Sequence, residues 1–344
     1  MSEAGYDIVT VDARHAGSLQ EFFATVGATR GIPESRWWWH ARPRCCRIAV
    51  ASATGEIAAV CGARPARLWV FGRIIESQFI CEWYVSPSHS GHGLGRRLVS
   101  AIGESVPVLM TISISDSAAQ GFQRLGWAPP TRVPIQATLS PLLIAARAVN
   151  RVRPSGVVVT QNTVRHGSYH YGDAFDDLWT RARPETACMA VRDAAELNWR
   201  LAAAPSRTYT LLTAHRMDKL VGYALTRLVP PGAIRSLPPW LPVGLLVDYL
   251  VDRNEPQVCE ALVQEAARSL CRAGAHAVLG IAQCEPDQRA FARCGFVSGS
   301  SRLLGRLVSR LNTRFTTHWI EGTAPQEFRF TYADSDMDLS LGAA

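Results

Sequence analysis

Lysine is nearly absent from this 344-residue chain: of its 36 basic residues only Lys219 is a lysine. The formal net charge of +7 is therefore an arginine charge, spread along the sequence. No basic stripe interleaved with aromatics is present, which argues against a nucleic-acid-binding module, while a positive field still favours an anionic small molecule. Long apolar runs are missing as well. None reaches 18 residues, and the longest, 139–149, is broken by Ser140-Pro141 and runs into arginines, so no integral membrane segment is expected. The first residues, Met1 to Asp7, have neither the basic nor the apolar region of a signal peptide. The nine cysteines show no C-x-x-C or Cys–His ligand spacing, and Cys45-Cys46 are adjacent. A structural zinc and a disulfide framework are both disfavoured, and a reducing, cytoplasmic location is expected with no metal. An apolar content of 47% and a charged content of 19% are those of a globular protein, and the length suits two domains.

The most informative stretch runs from Cys81 to Leu98. A strand-like run, Cys81-Glu82-Trp83-Tyr84-Val85, ends in Ser86-Pro87, and Gly91, Gly93 and Gly95 lead into an amphipathic helix. Glycines at a helix start turn the backbone tightly and aim N–H groups into one hollow, where the helix dipole adds positive charge. That arrangement holds a phosphate without a lysine. The P-loop sequence is absent, and G-x-G-x-G fits the dinucleotide fingerprint poorly. An ordinary strand-to-helix turn remains the other reading.

The chain repeats itself. Trp37 to Ile57 spans 20 residues and Trp199 to Leu220 spans 21, each crossing a strand and a turn. Glu82-Trp83-Tyr84-Val85-Ser86 parallels Asp248-Tyr249-Leu250-Val251-Asp252, and Leu125-Gly126-Trp127 parallels Cys294-Gly295-Phe296. Helices at 94–103 and 258–273 each lead to a strand, at 108–113 and 277–281. Two tandem α/β (α+β) units follow, each a mostly antiparallel mixed sheet flanked by helices. The expected domains are 1–150 and 151–344, with the boundary between 135 and 165 around a short helix at 142–152 and the breaker Arg153-Pro154-Ser155-Gly156. In the second copy the glycine loop is replaced by Arg253-Asn254-Glu255-Pro256-Gln257. Glu255 brings a repelling charge and Pro256 lacks an N–H, so this loop should not cradle a pyrophosphate.

Val85-Ser86-Pro87, the glycine loop and Arg96-Arg97-Leu98-Val99 resemble the acyl-CoA loop of the GCN5-related N-acetyltransferase (GNAT) superfamily. Ser115 to Trp127, a short helix followed by Gly126-Trp127, resembles that superfamily's second signature. The resemblance implies a tandem GNAT-like protein with a degenerate second copy, acting as an acyl-CoA-dependent N-acyltransferase with acetyl-CoA as cosubstrate and a small-molecule amine, such as an amino sugar, as acceptor. It also implies a cosubstrate surface of Trp83, Val85, Ser90, Gly91, His92, Gly93, Leu94, Gly95, Arg96 and Phe122. Glu82 is then the candidate base, or a carboxylate satisfied within the fold as the recurrence of an acid at Asp248 would have it. Glu76 is a second acid, expected to be solvated. The tyrosine that often donates a proton is replaced by Phe122, leaving Tyr84, Ser115 or water.

Three further features stand outside the signatures. Trp38 and Trp39 follow a helix-start signal and are candidates for an acceptor wall. Asp334 and Asp336 lie in an acidic C-terminal cluster that either grips an acceptor or forms a solvated tail. Arg302, Arg306, Arg310 and Arg314 recur every four residues, a spacing that on a helix makes a basic stripe, for a membrane surface or for solvent. A non-catalytic CoA-binding scaffold and a peripheral membrane module are the alternative functions, and no oligomeric state follows from the sequence.

Overall fold

The computed structural model describes residues 5–27, 45–140, 156–185, 187–203, 207–234, 237–298, 313–320, 324–325 and 327–334. Two compact units divide the chain, and each is built from more than one segment. Unit 1 comprises Met1–Leu68, Ile74–Thr131 and Arg314–Ala324; unit 2 comprises Trp69–Arg73, Arg132–Thr313 and Pro325–Ala344.

In unit 1, β1 (Tyr6–Thr10), α1 (Ala16–Thr25), β2 (Cys46–Ala51), β3 (Ile57–Val70) and β4 (Arg73–Val85) precede α2 (Leu94–Gly103) and β5 (Val108–Ile112). Then come α3 (Asp116–Arg124) and β6 (Thr131–Val133), where the chain leaves the unit. The sheet order is β1-β2-β3-β4-β5, continued by β14 (Thr313–Trp319) from the far end of the sequence. The β4–β5 pair is parallel, whereas β14 lies antiparallel to β5 with Phe315 opposite Ile112. Leu98, Val99 and Ile102 recur at helical spacing on α2 and bury against Ile80, Leu109 and Phe122.

Unit 2 repeats the plan. It contains β7 (Ile135–Leu139), β8 (Val157–Arg165), α4 (Asp173–Ala182), β9 (Cys188–Ala190), β10 (Thr208–Arg216) and β11 (Lys219–Val229). β12 (Val243–Val251), α5 (Pro256–Arg272), β13 (Ala277–Ile281), α6 (Glu285–Arg293) and β15 (Phe328–Arg329) follow. The sheet order is β8-β10-β11-β12-β13-β7, with β12–β13 parallel and β7 antiparallel to β13. Val258, Leu262, Val263 and Ala266 of α5 pack on Leu212, Leu246 and Val278.

A contiguous cut at 150 does not describe these units. β7, from the first half of the sequence, completes the sheet of unit 2, and β14, from the second half, completes that of unit 1. The unit 1 segment ends at Thr131, before the expected boundary window. The helix expected at 142–152 lies outside the described residues. So do Arg302, Arg306 and Arg310, while Arg314, the last of the proposed helical stripe, lies in strand β14 and ion-pairs with Asp116.

Candidate active site

The β4–β5 pair is where unit 1 opens. Parallel pairing runs from Ser77 opposite Val108 to Phe79 opposite Met110 and stops there, yet β4 continues to Val85. β4 stays attached on its other side, where the Ser86 N–H donates to Ala58 O at 2.9 Å. At the fork the Thr111 hydroxyl donates to Ile80 O at 2.9 Å. The segment beyond Ile80 thus runs on past its parallel partner, and a strand edge of this kind can take an extended ligand backbone alongside it.

Glu82 lies on this segment and is 1% exposed. Its carboxylate sits near two buried thiols. Burial, and then the Glu82 charge, push Cys46 and Cys61 far above the ordinary thiol range, so neither is a thiolate nucleophile at neutral pH. Tyr84, two residues on, is half-buried, with Phe23 of α1 edge-on at 6.1 Å. Glu76 is exposed at the other end of β4, as expected.

The loop after β4 reaches α2 through two left-handed residues, Gly91 at φ 86° and Gly93 at φ 67°. Gly93 is the N-cap of α2 and supplies no side chain, so no side chain competes for the first amides of the helix. Nothing lies within 4 Å of where a Cβ would stand at either glycine, which leaves the inside of the turn open. Ser90, Gly91, His92 and Gly93 are exposed, whereas Leu94 is buried and anchors the helix start. This geometry fits a pyrophosphate.

Gly95 serves a different purpose. A Cβ there would stand 2.8 Å from Trp83 Nε1, and one at Gly121 of α3 would stand 2.8 Å from the other end of the same indole. Trp83 lies between the two helices, donates to Gly95 O at 3.1 Å and meets the Phe122 ring at 4.5 Å with the planes tilted by 34°. Phe122 is itself buried against Trp127, so it floors the site beneath Trp83. Val85 is half-buried at the loop entrance.

Ser115 is exposed and caps α3, its Oγ accepting from the Ala118 N–H at 3.2 Å. Its visible task is that of a helix cap. Asp334 belongs to unit 2 and is fully buried, ion-paired with Arg192 at 2.7 Å and with Arg200 at 3.5 Å. It is neither a solvated tail nor an open grip for an acceptor, because two guanidiniums already hold it. Trp38, Trp39 and Asp336 lie outside the described residues.

One group near the loop, Tyr6 with His89 and Glu56, escaped the sequence reading. The Tyr6 hydroxyl and His89 Nδ1 are 2.9 Å apart, and His89 Nε2 bonds Glu56, so the turn before the glycines is pinned to the start of the sheet. Separations of 83 and 33 residues hide these contacts in the sequence. Arg47, Arg96 and Arg97 line a shallow depression of about 470 Å³ on the flank of α2. Arg97 also donates to Tyr6 O at 3.0 Å.

In unit 2 the corresponding acid, Asp248, is saturated. Arg192 Nε donates at 2.9 Å, Tyr223 OH at 2.7 Å and Thr331 Oγ1 at 2.7 Å. Burial alone would raise its carboxyl, but Arg192 and Arg200 together with these hydrogen bonds hold it below the ordinary carboxylate value. Arg192 is held firmly protonated by Asp248 and Asp334 against the cost of its burial. The helix start also differs. Glu255 stands at the N-cap of α5, and its carboxylate is clasped by Arg216 at 2.6 and 2.8 Å, so its charge is compensated, contrary to the repulsion expected from sequence. Pro256 removes an amide donor, as expected.

Residues 16–107 match the model of the acetyltransferase (GNAT) family. No curated protein matches the chain in sequence. Among solved structures, a probable N-acyltransferase of unknown function from Enterococcus faecalis V583 is similar at TM-score 0.59 and 8% identity, over 92% of this chain and 72% of that one. Saccharomyces cerevisiae N-myristoyltransferase with bound myristoyl-CoA is similar at TM-score 0.53 and 12% identity, over 94% and 84%. A fungal GCN5-related glucosamine N-acetyltransferase region gives TM-score 0.56 and 12% identity, over 91% of this chain and 38% of that one. At these identities the likeness is one of fold.

Proposed function

We propose that the chain is a GNAT acetyltransferase, on the match of residues 16–107 to that family's model, and that unit 1 transfers an acetyl group from acetyl-CoA to the amine of a small molecule, an amino sugar being the favoured class. The observation that carries this reading is the junction of two features: the end of β4–β5 pairing at Phe79–Met110, past which β4 runs on, and an open, left-handed glycine turn at the start of α2. The edge of β4 would hold the amide-bearing arm of the cosubstrate, and the turn its pyrophosphate. Arg47, Arg96 and Arg97, sharing a depression with Glu104 on the flank of α2, would add positive charge to that of the helix dipole.

The acceptor amine must lose a proton before it attacks. Glu82 is the candidate base, since a carboxylate buried in a strand has little water to compete for that proton. A backbone N–H at the fork is suited to stabilise the developing oxyanion. Phe122 has no proton to give, so Tyr84, Ser115, whose cap bond uses its oxygen only as an acceptor, or water is left to protonate the departing thiolate. Cys46 and Cys61 are not acyl carriers, because burial keeps their thiols too weakly acidic, and the reading is one of direct transfer to the amine. An amino-sugar acceptor draws support from the glucosamine acetyltransferase region of similar fold. Release of free thiol from acetyl-CoA across a panel of amino sugars and alkyl amines tests the proposal. Turnover with an amino sugar supports it; no thiol release with any amine refutes it.

A further inference from the structure

The second fork is not a relic. In unit 2 parallel pairing runs from Val243 opposite Ala277 to Leu245 opposite Leu279 and stops, while β12 continues to Val251. Among the described residues no strand covers that edge of β12 from Leu246 onward. At its mouth lies a cavity of about 540 Å³, lined only by residues of unit 2. Volumes of this size suit a small organic ligand.

The lining has a definite chemical character. Arg253, Arg289, Arg293 and Arg329 line it, from the turn after β12, from α6 and from β15. Each is ion-paired, with Glu185, Glu285, Glu260 and Glu327 in that order. Glu185, Glu285 and Glu327 are solvent-exposed, and such pairs are weak enough to yield to a bound anion. Deeper in, Asp287 accepts from the Tyr249 hydroxyl at 2.8 Å, beside the thiols of Cys259 and Cys284. Leu250, Met189 and Phe330 add apolar wall.

A nucleoside pyrophosphate does not fit this site. The Asn254 N–H is taken by Asp252 Oδ1 at 3.0 Å, the Glu255 N–H by Asp252 O at 2.9 Å, and Pro256 has none. What remains is a strand edge for amides, a slot of mixed polarity and arginines for one terminal anion. We propose that the unit 2 cavity binds a small, extended, amide-bearing molecule that ends in a phosphate monoester or a carboxylate. Unit 2 is then a second ligand site, independent of the cosubstrate site of unit 1.

Calorimetric titration of the full chain with 4′-phosphopantetheine, and separately with an N-acetylated tripeptide acid, tests this. The comparison chains are Ala290→Trp, which fills the cavity, and the surface double variant Arg253→Glu/Arg289→Glu, which keeps a folded control if the first fails to fold. For at least one of the two probes, the expected result is one molar equivalent of binding in the parent that is lost in Ala290→Trp and weakened at least ~10-fold in the double variant. Whichever probe behaves so identifies the source of the amide chain. Equal stoichiometry and affinity in parent and variants, or no heat with either probe up to about 1 mM, overturns the proposal. Because the variants alter unit 2 alone, the result does not depend on whether unit 1 binds acetyl-CoA.

Discussion

At the scale of single residues, the burden falls on Glu82 and the glycines. Glu82→Gln keeps shape and hydrogen bonding but removes the base. Turnover should fall ~10²–10⁴-fold with acetyl-CoA affinity unchanged, as measured by steady-state kinetics beside calorimetry. Unchanged turnover would hand the proton to another group. Gly121 faces Trp83 closely enough that Gly121→Ala must displace the indole, with an expected loss of about 1–3 kcal/mol in chemical denaturation. Residues of this kind differed in legibility. Glu82 could be read because a charge inside an apolar strand is conspicuous. Tyr6, His89 and Glu56 could not, since nothing local marks a contact across so many positions. Asp334 was misread because an acidic string near a terminus looks solvated unless its partner arginines are known.

At the scale of elements, periodic segments were legible and exchanged ones were not. The apolar spacing in α2 and the five apolar-rich residues of β13 marked both elements at their observed bounds. Arg314, the last residue of an arginine period that mimics an amphipathic helix, lies in β14, where pairing with β5 overrides that local signal. The buried network of Asp248, Arg192 and Asp334 joins β12 to the C-terminal segment. Asp248→Asn strips one partner from a buried ion pair and should cost about 3–5 kcal/mol. The sign of the pH effect follows from the depressed Asp248 carboxyl. Its stabilisation is full above the ordinary carboxylate value and disappears as pH falls through the lower folded value. Denaturation curves from neutral pH downward should show this acid-linked loss in the parent and less of it in Asp248→Asn.

At the scale of the whole molecule, duplication was visible as repeated landmarks at matched spacing. The reciprocal use of β7 and β14 was not, because a strand's partner is chosen by tertiary pairing and not by its own sequence. A Thr316→Pro/Thr317→Pro chain breaks β14 while keeping the C-terminal partners of Arg192, and leaves the edge of β5 open. It should self-associate on size-exclusion chromatography, as open edges do. A monodisperse variant chain of native helicity would show that unit 1 closes without β14.

The central claim is that the left-handed turn ahead of α2 holds acetyl-CoA. Gly93→Pro addresses it, since proline can neither adopt φ near 67° nor offer an N–H. Calorimetric titration with acetyl-CoA should show a binding event in the parent that is absent in Gly93→Pro, while thermal unfolding confirms that both are folded. Equal binding by both chains, or none by the parent, would contradict it.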